Sequence, residues 1–175
     1  MRDEQKSKVY AAEHTLAWLF DTAAATGNPM VTVSGVTVTL PPEAKFSSVE
    51  SMQAYVNRVM DMLPTDRKTP KVRHRSGTAK AHYHPVGEIA IPTARGGSWA
   101  RRELVVLHEL AHHLTPGSGH NHRYVQAFLE LVGRVMGPEV ALVGRIIFDD
   151  NGVRCTPPPK RVRRVAAQEN PKASA

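Results

Sequence analysis

The apolar residues of this chain recur at intervals of three and four in five stretches, a spacing that predicts five α-helices. The stretches are residues 6–25, 47–63, 98–114, 120–136 and 139–149. Ser47, with Glu50 three residues later, has the pattern of a capping box at the start of the second helix, and Ser98 is a suitable N-cap for the third. Glycine or proline follows each stretch, which indicates where each helix ends.

Short runs rich in β-branched residues predict two groups of strands. Residues 30–33 and 36–40 flank Ser34-Gly35, which is typical of a β-hairpin. A second group of two or three strands lies at residues 72–75, 79–84 and 88–91, and Pro92 indicates either the end of its last strand or a sheet edge. These elements predict an α+β domain in which a short, mostly antiparallel sheet packs on the third helix and on the long helix after it.

The composition is that of one globular domain, with 175 residues of which 41% are hydrophobic and 22% charged. We expect this domain to span residues 1–153 and a basic, disordered tail to follow over residues 154–175. No apolar run reaches the roughly 18 residues that a membrane-spanning helix needs, so no membrane partner is expected. The single cysteine, Cys155, and the polar start of the chain favour a cytoplasmic protein.

Positive charge is concentrated in two segments, although the net charge of the whole chain is only +7. Residues 66–80 carry six Lys and Arg against one Asp, and residues 154–175 carry six against one Glu. These segments could contact nucleic acid, or they could be a solvated loop and a solubilising tail.

The most informative motif lies in the third predicted helix, where His108 and Glu109 precede His112 among apolar residues. Residues four apart lie on one face of a helix, so both imidazoles can bind one metal ion. Glu109 is rotated onward and can reach a water molecule bound to that metal without being a ligand. Two ligands and a carboxylate base are the core of a metal-dependent hydrolase, and histidine ligands favour a single zinc ion.

A catalytic zinc site needs a third protein ligand, and four later residues are candidates. His113 directly follows the motif and is turned about 100° away from it, which makes it a poor ligand. His120 continues the apolar stripe of the fourth predicted helix, whereas His122 continues a polar line. Glu130 falls about 80° from that stripe. The pattern favours His120, with His122 and then Glu130 as alternatives.

The chain resembles SprT-like and related small zinc hydrolases in its HExxH…HGxxF pattern, which runs from His108 through a Pro/Gly loop to His120 and Tyr124. It also resembles a family of small actinobacterial and phage-borne metallohydrolases. The shared features cover most of residues 9–153 and include Tyr10 with Glu13, Lys45-Phe46-Ser47 and Gly137-Pro138-Glu139.

The resemblance implies a zincin-like domain in which His108, His112 and His120 bind zinc and Glu109 is the base. One position departs from the pattern, because the glycine that follows the third histidine is Asn121 in this chain.

We therefore expect a zinc-dependent hydrolase, specifically a metallopeptidase that acts on a protein or peptide substrate. The predicted edge strand could bind an extended peptide by backbone pairing along Ile89, Ala90 and Ile91. The alternative is a regulatory or DNA-associated protein whose metal is structural and whose segments 66–80 and 154–175 bind nucleic acid. A structural zinc site has four protein ligands, so ligand number separates the two interpretations.

Overall fold

The computed structural model describes residues 3–77, 80–92 and 97–156, and within these ranges it has the expected α+β character. Residues 157–175, most of the predicted tail, lie outside the described part. The elements are α1 (Lys6–Thr26), β1 (Met30–Val33), β2 (Val36–Thr39), α2 (Val49–Asp61), β3 (Lys71–Arg75), β4 (His82–His84), β5 (Glu88–Pro92), α3 (Glu103–Leu114), α4 (His122–Val135) and α5 (Pro138–Asp150). None of the described helices is long and apolar enough to cross a lipid bilayer.

The predicted β-hairpin is confirmed. β1 and β2 pair antiparallel, from Met30 opposite Thr39 to Val33 opposite Val36. Ser34 and Gly35 connect them with φ angles of 48° and 81°, the left-handed conformation that a two-residue hairpin turn requires. The hairpin packs against α1 and α5 and forms a sheet of its own.

The second sheet has the order β3-β5-β4, so the prediction that residues 88–91 form an edge strand is wrong. β5 pairs parallel with β3 and antiparallel with β4, and the sheet is therefore mixed. Pro92 is tolerated because it occupies the last position of the ladder, opposite Arg75. Ile89, Ala90 and Ile91 are fully buried, and both sides of their strand are already paired.

Helix α2 has the predicted apolar face but a different N-cap. Val49, Met52, Val56 and Val59 are buried as the spacing predicts. The capping box joins Ser48 and Ser51, not Ser47 and Glu50: the Ser48 hydroxyl accepts from the Ser51 N–H, and the Ser51 hydroxyl accepts from the Ser48 N–H. The N-cap lies one residue later than predicted, at Ser48, because either of the two adjacent serines can supply the capping oxygen.

Helix α3 begins at Glu103 and not at the predicted N-cap Ser98, which instead opens a short 3-10 turn over Ser98–Ala100. The side chain of Arg102, the residue before α3, does not cap the helix. The carboxylate of Glu43, from the segment before α2, accepts the N–H of Leu104 at 3.2 Å and binds Arg102 at 2.6 Å. A residue sixty positions away in sequence therefore fixes where the motif helix starts.

The packed helices hold the segment that carries His108, Glu109 and His112 in place. α3 packs on α4, α4 on α5, and α5 on α1, while β4 lies against α3. Tyr124 stacks with Phe128, which in turn contacts Phe148, and all three are fully buried. This core extends to the candidate site, where Tyr124 also contacts His108 and His112.

Candidate metal centre

Three histidines converge at one point between α3 and the loop that follows it. His108, His112 and His120 each offer a ring nitrogen, and these nitrogens all lie within 4.8 Å of one another, so the three residues could hold a metal ion. Their ring centroids are 4.7 to 5.3 Å apart. Neither His122 nor Glu130, the alternative third ligands, belongs to this group, and Glu130 is exposed.

A tight loop brings His120 back to the two histidines of α3. Gly119 has a φ of 53°, and a Cβ at that position would lie 3.0 Å from the carboxylate of Asp3. A side chain there would thus be strained and would also displace Asp3. Asn121 has a φ of −73° and caps α4 by accepting the Arg123 N–H, so α4 starts two residues later than predicted and His120 stays in the loop.

His108 is oriented by groups that contact its Nδ1 atom. The Glu13 carboxylate of α1 lies 2.8 Å from Nδ1, and the Tyr124 hydroxyl lies 2.6 Å from the same atom. Tyr124 also donates to Glu13 at 3.1 Å. With its proton on Nδ1 and directed at Glu13, His108 presents the lone pair of Nε2 for a metal.

His120 is oriented in the same manner from the start of the chain. Asp3 Oδ2 lies 2.6 Å from His120 Nδ1 and also accepts the His120 backbone N–H at 3.2 Å. The Gln5 side chain donates to the His120 carbonyl. The Nε2 atom of His120 is buried and has no hydrogen-bond partner within the described part of the chain. A buried unpartnered nitrogen is costly, and a metal ligand at Nε2 would remove that cost.

Burial and neighbouring charge keep two of these imidazoles neutral, which is the form that binds metal. Burial, followed by the proximity of His108 and His120, lowers the pKa of His112 to about 3. Burial also lowers the pKa of His120, although the hydrogen bond to Asp3 opposes it. For His108 burial acts in the same direction, but the Glu13 carboxylate outweighs it and raises the pKa.

Glu109 is buried beside His108 and faces the same cleft. The backbone N–H of Tyr83, in β4, donates to its carboxylate. Burial raises the pKa of Glu109, while His108 and the Tyr83 N–H act against that rise. The strand next to α3 therefore holds the carboxylate in place without neutralising it with a cation.

The cleft at the three histidines has a volume of about 310 Å³ and opens into a larger groove of about 890 Å³. His82, Tyr83 and Pro85 line the cleft on the β4 side. The predicted substrate residues Ile89, Ala90 and Ile91 do not line either cavity. The strand edge at the metal centre belongs to β4, one strand away from the predicted one.

Sequence reasoning missed the orienting role of Asp3 and gave Glu13 no role in contacting His108. Asp3 lies in a polar stretch with no periodic signal, so nothing local could have singled it out. Tyr10 was also missed as a lining residue: its ring stacks on that of His108 at 5.5 Å. Burial, then the carboxylates of Glu109, Glu13 and Asp3, raises the pKa of Tyr10 to about 12.

The basic segment 66–80 is partly engaged within the protein. Arg73 forms an ion pair with Glu88 at 2.7 Å, and Arg75 donates to the Lys80 carbonyl at 2.6 Å and contacts His82. Lys71 and Lys80 are exposed. Two of the predicted nucleic-acid contacts therefore have intramolecular partners, whereas lysines of the segment face solvent.

In comparisons with known proteins, no family model, no curated protein and no solved structure matches the chain. A function for this site must accordingly be argued from its own geometry and chemistry.

Proposed function

We propose that this protein is a zinc-dependent hydrolase and that its substrate is a protein or peptide. The observation that carries the proposal is the set of three converging histidines, with the unpartnered buried Nε2 of His120 and with Glu109 on the same cleft. Among the described residues the group has three members, not four. Three protein ligands are the number typical of a catalytic zinc site, whereas structural sites are closed by a fourth.

The chain's own groups can move the protons of a hydrolysis. A divalent ion held by the three histidines would polarise the scissile carbonyl and lower the pKa of the attacking water. Glu109 accepts a proton from that water as its oxygen bonds to the carbonyl carbon. It then gives the proton to the leaving nitrogen as the carbon–nitrogen bond breaks. The Tyr83 N–H keeps the Glu109 carboxylate oriented through both transfers.

The position of β4 supports an extended peptide as the substrate. In the described part of the chain β4 pairs only with β5, and His82 and Tyr83 line the cleft. The Tyr83 N–H is used by Glu109, and the Tyr83 carbonyl, which points to the same side as that N–H in an antiparallel pair, is the group we expect a peptide N–H to contact. Main-chain pairing to a strand edge recognises a peptide backbone whatever its side chains. We therefore assign to β4 (His82–His84) the peptide-binding role that the sequence suggested for β5.

The proposal is tested by measuring zinc content and proteolysis together on the purified full chain. Glu109→Gln should retain zinc but cleave casein at least about a hundredfold more slowly, because only the proton acceptor is lost. Glu130→Gln, an exposed glutamate on α4, is the matched control and should cleave at the wild-type rate. Undiminished cleavage by Glu109→Gln would overturn the mechanism.

Substitution of the two competing histidines tests the ligand set. His120→Ala should lose bound zinc, measured by mass spectrometry of metal content, whereas His122→Ala should retain it. The reverse result would mean that the loop binds metal through His122 and that the three-histidine site is wrong.

A further inference from the structure

A groove leads away from the metal centre between α1 and the start of α3. One face of α1 forms its floor, from Lys6 and Tyr10 near the histidines to Trp18. The opposite wall includes Trp99, in the 3-10 turn, and Leu104. The groove shares five residues with the metal cleft, namely Lys6, Tyr10, Ala81, His108 and Glu109. It is therefore a continuation of the candidate active site.

Both tryptophans of the chain line this groove. Trp18 is 58% exposed and Trp99 44% exposed, which is unusual for the largest apolar side chains. Tyr10 adds a third aromatic ring, 43% exposed. Exposed aromatic residues in a concave surface are characteristic of sites that bind apolar groups.

Three of the four acidic groups that line the groove are paired with basic groups of the protein, and the fourth is Glu109 at the metal cleft. Asp3 binds His120, Glu13 binds His108, and Asp21 pairs with Arg102 at 3.0 Å. The groove thus presents mainly aromatic and aliphatic surface, flanked by the two lysines Lys6 and Lys80. Such a surface favours a bulky apolar side chain over a cationic one.

We propose that this groove is a substrate subsite, in which Trp18 and Trp99 receive a bulky apolar side chain of the polypeptide being cleaved. This inference rests on the proposed hydrolase function and specifies its substrate class. The cleft at β4 binds the backbone near the scissile bond, and the groove selects the sequence farther along the peptide.

Distance sets which side chain of the substrate is recognised. Trp18 lies eight residues after Tyr10 on α1, about 12 Å along the helix axis. An extended peptide advances about 3.3 Å per residue. For a peptide that runs along α1 with its scissile bond beside Tyr10, the recognised side chain therefore lies about three to four residues from that bond.

The groove can be probed by intrinsic fluorescence, because it contains both tryptophans. The probe is an acetylated and amidated decapeptide of glycine and serine that carries one phenylalanine, compared with the same peptide carrying serine instead. The full-length Glu109→Gln protein is excited at wavelengths that tryptophan alone absorbs. Its tryptophan emission maximum should shift to the blue when the phenylalanine peptide is added. The serine peptide should bind about tenfold more weakly.

Matched variants locate the binding. Trp18→Ala should weaken binding of the phenylalanine peptide about tenfold and leave Trp99 as the reporter. Trp18→Phe should restore most of the affinity, since an aromatic ring remains. Leu142→Ala, which removes an exposed apolar side chain on α5, should have no effect.

The readout separates this inference from the proposed function. A phenylalanine-dependent shift without any hydrolysis by the wild-type protein would support the groove and refute the hydrolase. Equal cleavage of phenylalanine and serine peptides by wild type and Trp18→Ala would refute the groove and leave the hydrolase. Acrylamide quenching of the tryptophan fluorescence is a further test. Quenching that becomes efficient only at high salt would overturn the inference, because it would indicate that one of the chain's own basic segments, 66–80 or 154–175, covers the groove.

Discussion

The Glu13 carboxylate lies 2.8 Å from Nδ1 of His108, a residue ninety-five positions later in the chain. This contact links the first helix to the motif helix and fixes which nitrogen of His108 faces the other two histidines. Carboxylates in this position raise the basicity of a ligating imidazole and hold its ring. The candidate metal centre therefore depends on α1 as well as on the helix that carries the motif.

Removing this carboxylate should weaken metal binding without unfolding the protein. We expect Glu13→Ala to lower zinc affinity about 10- to 100-fold, measured by competition with a chromophoric chelator. His14→Ala, which changes the neighbouring exposed residue of α1, is the control and should bind as wild type does. Unchanged affinity in Glu13→Ala would show that Tyr124 alone orients His108.

Removal of the Asp3 carboxylate should likewise weaken zinc binding, in this case through His120. It contacts both Nδ1 and the backbone N–H of His120, so Asp3→Ala removes two interactions with one residue. We expect zinc affinity to fall about tenfold or more. Glu4→Ala is the control, because Glu4 is exposed and pairs only weakly with Arg154, at 3.4 Å. Equal affinities of the two variants would contradict the role assigned to Asp3.

A buried hydrogen bond away from the site should contribute measurably to stability. The Tyr55 hydroxyl donates to the Glu103 carboxylate at 2.6 Å, and both residues are buried. Tyr55→Phe should lower the free energy of unfolding in urea by about 1–3 kcal/mol, because the carboxylate loses a donor. Tyr83→Phe, which removes a longer 3.3 Å contact to His113, is the control and should cost less.

The contact between Tyr55 and Glu103 also predicts how the difference in unfolding free energy between wild type and Tyr55→Phe changes with pH. Burial, then the Glu103 carboxylate, raises the pKa of Tyr55 well above its usual value of about 10. The stabilisation is therefore complete below about pH 10 and is lost as the pH rises further, because only the unfolded tyrosine ionises. The stability advantage of wild type over Tyr55→Phe should shrink above pH 10. A constant difference would mean that the hydroxyl is accessible to solvent in the folded state.

The nucleic-acid alternative makes a prediction about where any DNA affinity resides. Four of the positive charges at residues 160–164 can be removed by Lys160→Gln, Arg161→Gln, Arg163→Gln and Arg164→Gln. We expect this variant to lose most binding to duplex DNA and to show a smaller salt dependence, as fewer counterions are released. The matched variant neutralises Arg67, Lys68, Lys71 and Lys80, and it should bind more strongly than the first. The opposite order would place the contact surface on segment 66–80.

The local pattern of the sequence was sufficient for the helices, the hairpin and the paired histidines. Helical spacing and the Ser34-Gly35 turn depend on backbone geometry within a few residues, and so does the shared face of His108 and His112. The folded structure keeps these local features because no contact with a distant segment opposes them. The apolar stripe of α4 also favoured His120, which the structure brings beside the other two.

Only the tertiary structure decided the features that join distant segments. Strand order placed β5 at the centre of the sheet and left β4 exposed at the cleft, although both have strand-like sequences. The Glu43 carboxylate replaced Ser98 at the start of α3. Asp3 and Glu13 became partners of the histidines only because α1 packs across the site. These outcomes depend on which surfaces are buried together, and that information is not contained in any single stretch of the chain.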